Sequence, residues 1–164
     1  MKKLYLIGGP MGVGKTTVCQ FMKQKLNSSV FLDGDWCWDM HPFCITEETK
    51  AMVVDNICHL LNNFLHCTVY ENIIFCWVMH QQSIIEAICS KLDLIDTVCF
   101  SVSLICTEER LRERLHKDIH AGIRSMDVIE RSAARVPFYE KLDTIKIDVT
   151  NITAEQAAER IMDL

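Results

Sequence analysis

The sequence predicts a three-layer α/β protein, a parallel sheet of five strands with helices on both faces. Three observations predict it. Strand-like and helix-like segments alternate along all 164 residues. The strand segments are apolar throughout, as strands buried on both faces are, instead of alternating in polarity. A glycine-rich turn, Gly9-Pro10-Met11-Gly12-Val13-Gly14-Lys15-Thr16, joins the first strand to the first helix.

The elements follow in order. Leu4–Ile7 is a short apolar strand ending in glycine, and Val18, Phe21, Met22 and Leu26 recur at helical spacing after the turn. Val30–Leu32 is a second strand, closing on Asp33-Gly34-Asp35. Thr46 is placed to cap a long amphipathic helix, with Glu47 and Glu48 in its first turn and Val53, Ile57, Leu60, Leu61, Phe64 and Leu65 on its apolar side. Ile73–Val78 is a third strand, and Ile84, Ile85, Ile88 and Leu92 stripe the helix after it. Thr97–Ile105 is a fourth strand, and Thr107 caps a helix over 108–119. A helical stretch from about Met126 should be kinked or ended by Pro137. Thr144–Val149 is the fifth strand, and Thr153 with Gln156 forms a capping box for the last helix. No linker, repeat or low-complexity segment divides residues 1–164, which read as a single domain.

The turn after the first strand fits G-x-x-x-x-G-K-[ST] at every fixed position. In that pattern backbone N–H groups cradle phosphates, the lysine reaches the terminal phosphates and the hydroxyl holds Mg²⁺. A helix beginning at Lys15 adds its dipole to the same site. Gly9, Gly12, Val13, Gly14, Lys15, Thr16 and Thr17 are therefore the candidate nucleotide ligands, with Thr16 also a metal ligand.

Composition narrows the class. The net charge of −5 and the lack of a polybasic run argue against a nucleic-acid surface. No apolar run approaches the ~18 residues that span a bilayer, and none has the form of a signal peptide, so neither a membrane partner nor secretion is expected. The nine cysteines contain no C-x-x-C pair and sit mostly in apolar segments, which suits buried free thiols in a reducing, cytoplasmic setting. The six histidines show no metal-ligand spacing.

A phosphate loop alone does not define a reaction. The base-reading Asn-Lys-x-Asp of GTPases is missing, since Ile145-Lys146-Ile147-Asp148 lacks the asparagine. The third strand ends Trp77-Val78-Met79-His80, without the carboxylate that the large ATPase classes place there. Two carboxylates close the second strand instead, Asp33 and Asp35, with Gly34 letting the chain turn between them. One can orient the water shell of a metal and the other can accept a proton from an attacking hydroxyl. All seven arginines lie from Arg110 onward.

The stretches GGPMGVGKTT, FLDGD, the arginine-bearing segment and IDVTN resemble, in that order and over essentially the whole chain, the small kinases of the nucleoside-monophosphate-kinase superfamily. The pattern is similar to the shikimate kinase, gluconate kinase and chloramphenicol phosphotransferase branch. The resemblance implies a P-loop NTPase fold with strand order 2-3-1-4-5 and ATP and Mg²⁺ as cofactors. It implies Asp33 beside the metal waters and Asp35 as general base. It further implies a mobile lid at about 116–135 with Gly122 as hinge, Arg124 on the phosphates, Arg114 stacked on adenine, and Asn151 and Ile152 in the loop beside it. Lys15, Asp35 and Arg124 are then the catalytic candidates.

Arg131 and Arg135 are one helical turn apart and can point at the same site, whereas Arg110 and Arg112 fit a solvated, salt-bridged face. Residues 36–109, which form the acceptor pocket in such kinases, hold no arginine and only Lys50 and Lys91. They offer Trp36, Trp38, His41, Phe43, Trp77, His80, Gln81 and Gln82. That set suits a small, non-anionic hydroxylated acceptor, with Asp35, Trp36, His80 and Arg131 as its contacts. Trp36 and Trp38 cannot both face inward on an extended segment, and Trp77 reads as core. The functional expectation is an ATP- and Mg²⁺-dependent phosphotransferase acting on a small-molecule hydroxyl, as a monomer or homodimer. A nucleotide or nucleoside kinase, and a nucleotide-binding regulatory protein without transfer chemistry, are the alternatives.

Overall fold

In the computed structural model, which describes residues 1–164, strands β1 (Lys2–Gly8), β2 (Ser29–Asp33), β3 (Asn72–Cys76), β4 (Thr97–Ile105) and β5 (Ile145–Asp148) form one sheet in the order β2-β3-β1-β4-β5. Every pairing is parallel. The register sets Ile7 opposite Cys76, and Cys76 opposite Asp33, so the carboxyl ends of β1, β2 and β3 reach one edge together. This is the predicted P-loop NTPase arrangement. Ligands on such sheets bind at that edge.

Helices α1 (Lys15–Lys25), α2 (Glu47–His66), α3 (Gln82–Cys89), α4 (Glu108–His120), α5 (Val128–Ala133), α6 (Val136–Glu140) and α7 (Ala154–Met162) cover the two faces. The period-two alternation of a strand divides β1 between two cores. Tyr5 and Ile7 pack with Val18 and Met22 of α1, Leu111 of α4 and Ile161 of α7. Leu4 and Leu6 pack with Ile57 and Leu61 of α2, Ile85 of α3 and Tyr139 of α6. The capping box of Thr153 and Gln156 is present. Thr46 caps α2 in a box completed by Thr49.

Several elements differ from the expectation. β3 ends at Cys76, so Trp77 and Val78 lie past the strand, although the Trp77 amide still donates to the Ile7 carbonyl at 3.2 Å. Pro137 does not terminate a helix. It sits in the first turn of α6, where its missing N–H leaves no intrahelical bond unmade. The segment after Asp33 is a 3-10 helix, Gly34–Trp38, not an extended strand. The nine cysteines are all free thiols, but only Cys19, Cys58, Cys76 and Cys106 are fully buried, and Cys44 is exposed. No helix is long and apolar enough to cross a membrane.

Leu61, wholly buried between α2 and the sheet, tests the second core. Leu61→Ala should lower unfolding free energy by about 2–5 kcal/mol, from lost transfer energy and the residual cavity. Thr153→Ala, which removes only a helix cap, should cost about 0.5–2 kcal/mol. Urea titration checks both.

Candidate active site

The phosphate loop leaves β1 and enters α1 through Gly14, which has φ 106° and occupies the N-cap position. Only glycine adopts that backbone without strain, and it frees the first amides of α1 to point into the cavity. Gly12 is required for a second reason. A Cβ on it would stand 2.5 Å from Leu115 Cδ2, so α4 presses directly on the loop. Lys15 folds its ammonium back onto the loop carbonyls of Gly9 (2.9 Å) and Pro10 (3.0 Å). Burial lowers its pKa from the ordinary lysine range, and Asp35 and Asp33 oppose that shift.

Thr16 meets the end of β2. Its hydroxyl donates to Asp33 Oδ2 at 2.8 Å, and Asp33 Oδ1 accepts from the Asp35 amide at 3.1 Å, capping the 3-10 helix. Asp33 is 7% exposed, one of three buried polar residues. The two oxygens of Thr16 and Asp33 form a hard donor set of the kind Mg²⁺ takes while keeping most of its waters and adding phosphate oxygens. No cluster of three or more His, Cys, Asp or Glu side chains stands anywhere to hold a metal alone, and Mg²⁺ at a phosphate site needs none. Thr16 and Asp33 therefore fit the metal that the loop implies.

Asp35 begins where Asp33 leaves off. Partial desolvation, then the neighbouring Asp33 charge, raises its pKa above the usual aspartate value, while Lys15 and Arg124 pull it down. A raised pKa is the direction that improves a general base. Gly34 between the two acids is not needed for a turn conformation, as its φ is not positive. It is needed for space. A Cβ there would lie 2.6 Å from Trp77 Cγ. The indole of Trp77 thus packs against the backbone between the acids and, half-buried, against the second core, as expected, while it also lines a neighbouring cavity.

The arginines separate by partner. Arg124 donates to Asp118 at 3.1 Å and faces Lys15, Asp33 and Asp35 across a cavity of about 320 Å³, which Thr16, Thr17, Arg114, Lys117 and Asp118 also line. Arg114 donates to the Val13 carbonyl (2.9 Å) and the Val149 carbonyl (2.7 Å), joining the loop to the end of β5. Ser132, fully buried, donates to the Met11 carbonyl at 2.7 Å and fastens α5 to the same loop. Arg110 pairs with Glu113, and Arg112 pairs with Glu108 and bidentately with Glu130. Asn151 is exposed in the turn after β5 and lines neither this cavity nor the one beside it. Gly122, with φ 72° and open space on the side where a Cβ would stand, sits just after α4, the position expected of a hinge.

A second cavity of about 1060 Å³ adjoins the first, and Asp35 and Met11 belong to both. Trp36, Trp38, Phe43, Trp77, His80 and Gln81 wall it. The 3-10 turn explains how Trp36 and Trp38 reach one cavity, which an extended segment forbids. His41 and Gln82 do not line it; Gln82 instead accepts from the Asp143 amide at 3.1 Å. Arg131 and Arg135 enter the cavity from α5 and the turn beyond it, and Lys50 enters from α2. The arginine-free stretch 36–109 therefore does not make an arginine-free cavity. Lys117, Asp118 and Ser132 carry no signal in the sequence, because their roles depend on how α4 and α5 lie against the loop.

Gly34→Ala should destabilise the fold by about 1–3 kcal/mol through overpacking against Trp77, and shift the tryptophan emission. Asp35→Asn has a pH-dependent signature. A carboxyl whose folded pKa is raised favours the folded state below its unfolded pKa, and that contribution is lost as pH rises through the folded value. Asp35→Asn should accordingly be the more stable protein at neutral pH. The difference should shrink as pH falls towards the ordinary aspartate value of 3.8. Thermal melts across pH check the sign.

Comparison with known proteins agrees with this architecture. The tunicamycin resistance protein of Deinococcus radiodurans superposes with a TM-score of 0.73 at 16% identity, over 99% of this chain and 95% of that one. A gluconokinase from Sinorhizobium meliloti gives 0.67 at 16% identity, over 98% and 94%. Shikimate kinase from Acinetobacter baumannii gives 0.61 at 18% identity, over 99% and 92%. No curated protein matches the sequence. Residues 6–134 match the AAA domain family, and with its phosphate loop and sheet order in place the chain belongs to that family.

Proposed function

We propose that this protein is an ATP- and Mg²⁺-dependent kinase that phosphorylates a hydroxyl of a small molecule. One observation carries the reading: Asp35 stands at the junction of two cavities, one lined by the phosphate-loop residues Lys15 and Thr16 and the other by aromatic walls suited to an organic acceptor. Kinases with this fold among solved structures, including the gluconokinase and the shikimate kinase above, support the class.

The division of labour follows from placement. The loop amides and Lys15 bind and neutralise the phosphates, and Thr16 with Asp33 would hold Mg²⁺. That ion, when bound, supplies charge neutralisation on the phosphate oxygens. Arg124, held by Asp118 over the same cavity, adds positive charge where the transferring group passes. Asp35 accepts the acceptor's hydroxyl proton as the new O–P bond forms and ADP leaves. Its raised pKa strengthens it as a base for that step.

Asp35→Asn should bind ADP as the parent does by calorimetry, and lose about 10²–10⁴-fold in transfer. The assay follows labelled phosphate from ATP across polyols, hydroxylated aromatics, nucleosides and nucleoside monophosphates. Undiminished transfer by Asp35→Asn overturns the assignment. Lys15→Ala should weaken ADP binding itself.

A further inference from the structure

The phosphate loop is held by its carbonyls. Those of Gly9, Pro10, Met11, Val13 and Gly14 each accept a hydrogen bond from within the protein. The amides of Gly12 and Gly14 donate none, and both residues line the phosphate cavity. Each of these amides shares a peptide with a carbonyl gripped by a distant side chain, Met11 with Gly12 and Val13 with Gly14. In a planar trans peptide the C=O and the N–H point opposite ways, so a donor fixed on the carbonyl aims the amide. Arg114 does this for Gly14, at 2.9 Å from the Val13 carbonyl. Ser132 does it for Gly12 from 121 residues along the chain, at 2.7 Å from the Met11 carbonyl, and no other group bonds that carbonyl. The peptide it holds is easily turned over, because Gly12 has φ 82° and a glycine admits either orientation. Turned over, the Met11–Gly12 peptide would show an oxygen to the phosphate and withdraw a donor.

We infer that Ser132 is a positioning residue for phosphate binding: its hydroxyl holds the Met11 carbonyl so that the Gly12 amide faces the phosphate. Ser132 is 1% exposed and lines neither cavity, so it acts on a ligand only through the loop. It is also uncharged, unlike Arg114, whose removal would take a cation from the cavity wall as well. Burial suits the task. No water stands ready to replace a buried hydroxyl, so without it the Met11 carbonyl is left unpaired until the peptide turns towards the open cavity. This role rests on the kinase reading only for the anion that fills the loop, and involves neither Asp35 nor the acceptor.

Calorimetric titration with tripolyphosphate and with ADP checks the role. Ser132→Ala should bind both at least about tenfold more weakly, the weight of one hydrogen bond to a charged group. The factor should be the same for the two, because contacts to the base are untouched. Ser132→Cys, whose thiol is a weak donor, should fall between Ser132→Ala and the parent. The chain has six glycines, so glycine-selective ¹⁵N labelling resolves the loop amides. On addition of tripolyphosphate the Gly12 amide proton should move downfield in the parent and not in Ser132→Ala, while the Gly14 amide proton moves in both. Circular dichroism melts show whether each variant is folded at the titration temperature; if Ser132→Ala is not, Ser132→Cys against the parent carries the comparison. A lowered Tm with unchanged tripolyphosphate affinity, a loss confined to ADP, or an equal Gly12 shift in the parent and Ser132→Ala overturns the inference. Neither probe needs an acceptor or a transfer step, so the transfer assay on Asp35→Asn judges the kinase reading separately.

Discussion

The hydrogen bond from Thr16 to Asp33, 2.8 Å long, joins the phosphate loop to a strand that is not its neighbour. β3 lies between β1 and β2, so the contact exists only because the parallel register brings all three carboxyl ends level. The loop must then rise over β3 to meet Asp33. Asp33 in turn caps the 3-10 helix that carries Asp35, Trp36 and Trp38. A single carboxylate thus ties the phosphate-loop cavity to the aromatic cavity beside it. Strands of unequal length, or a slip in register, would separate the two halves before any catalytic residue changed.

The loop is held from its other side by helices that come much later in the chain. Leu115 fills the space over Gly12, Arg114 bonds Val13 to Val149, and Ser132 bonds Met11. These contacts place α4 and α5 against the loop and so aim Arg124 at one cavity and Arg131 and Arg135 at the other. Residues packed behind charged side chains in this way hold them in a fixed geometry. Trp77 packs just as closely on Gly34 between the acids, where an added Cβ would come within 2.6 Å of the indole.

Local rules were sufficient wherever a residue's role depends on its chain neighbours. The phosphate loop, the capping box of Thr153 and Gln156, the N-caps at Thr46 and Thr107, and the salt-bridged face of Arg110 and Arg112 were all legible from spacing. The limits of β3 and the role of Pro137 were not. The apolar run through Val78 reads as strand, but partner β2 ends at Asp33, opposite Cys76, so β3 loses a neighbour there whatever the propensity. Pro137 is compatible with either end of a helix, and the turn at Ala134 and Arg135 decided which.

By itself, the sequence determined that this chain builds a five-stranded parallel α/β fold around a phosphate loop, with two acids at the end of the second strand. Those conclusions rest on periodicity and on residues a few positions apart. Only the tertiary structure decided what the aromatic cavity beside Asp35 is made of. Arg131 and Arg135 lie far along the chain from Trp36, and no spacing rule links them; the packing of α5 against the loop brings them to one wall. The same is true of Trp77, which reads as core along the chain and becomes a wall of the site because Gly34 leaves room for its indole.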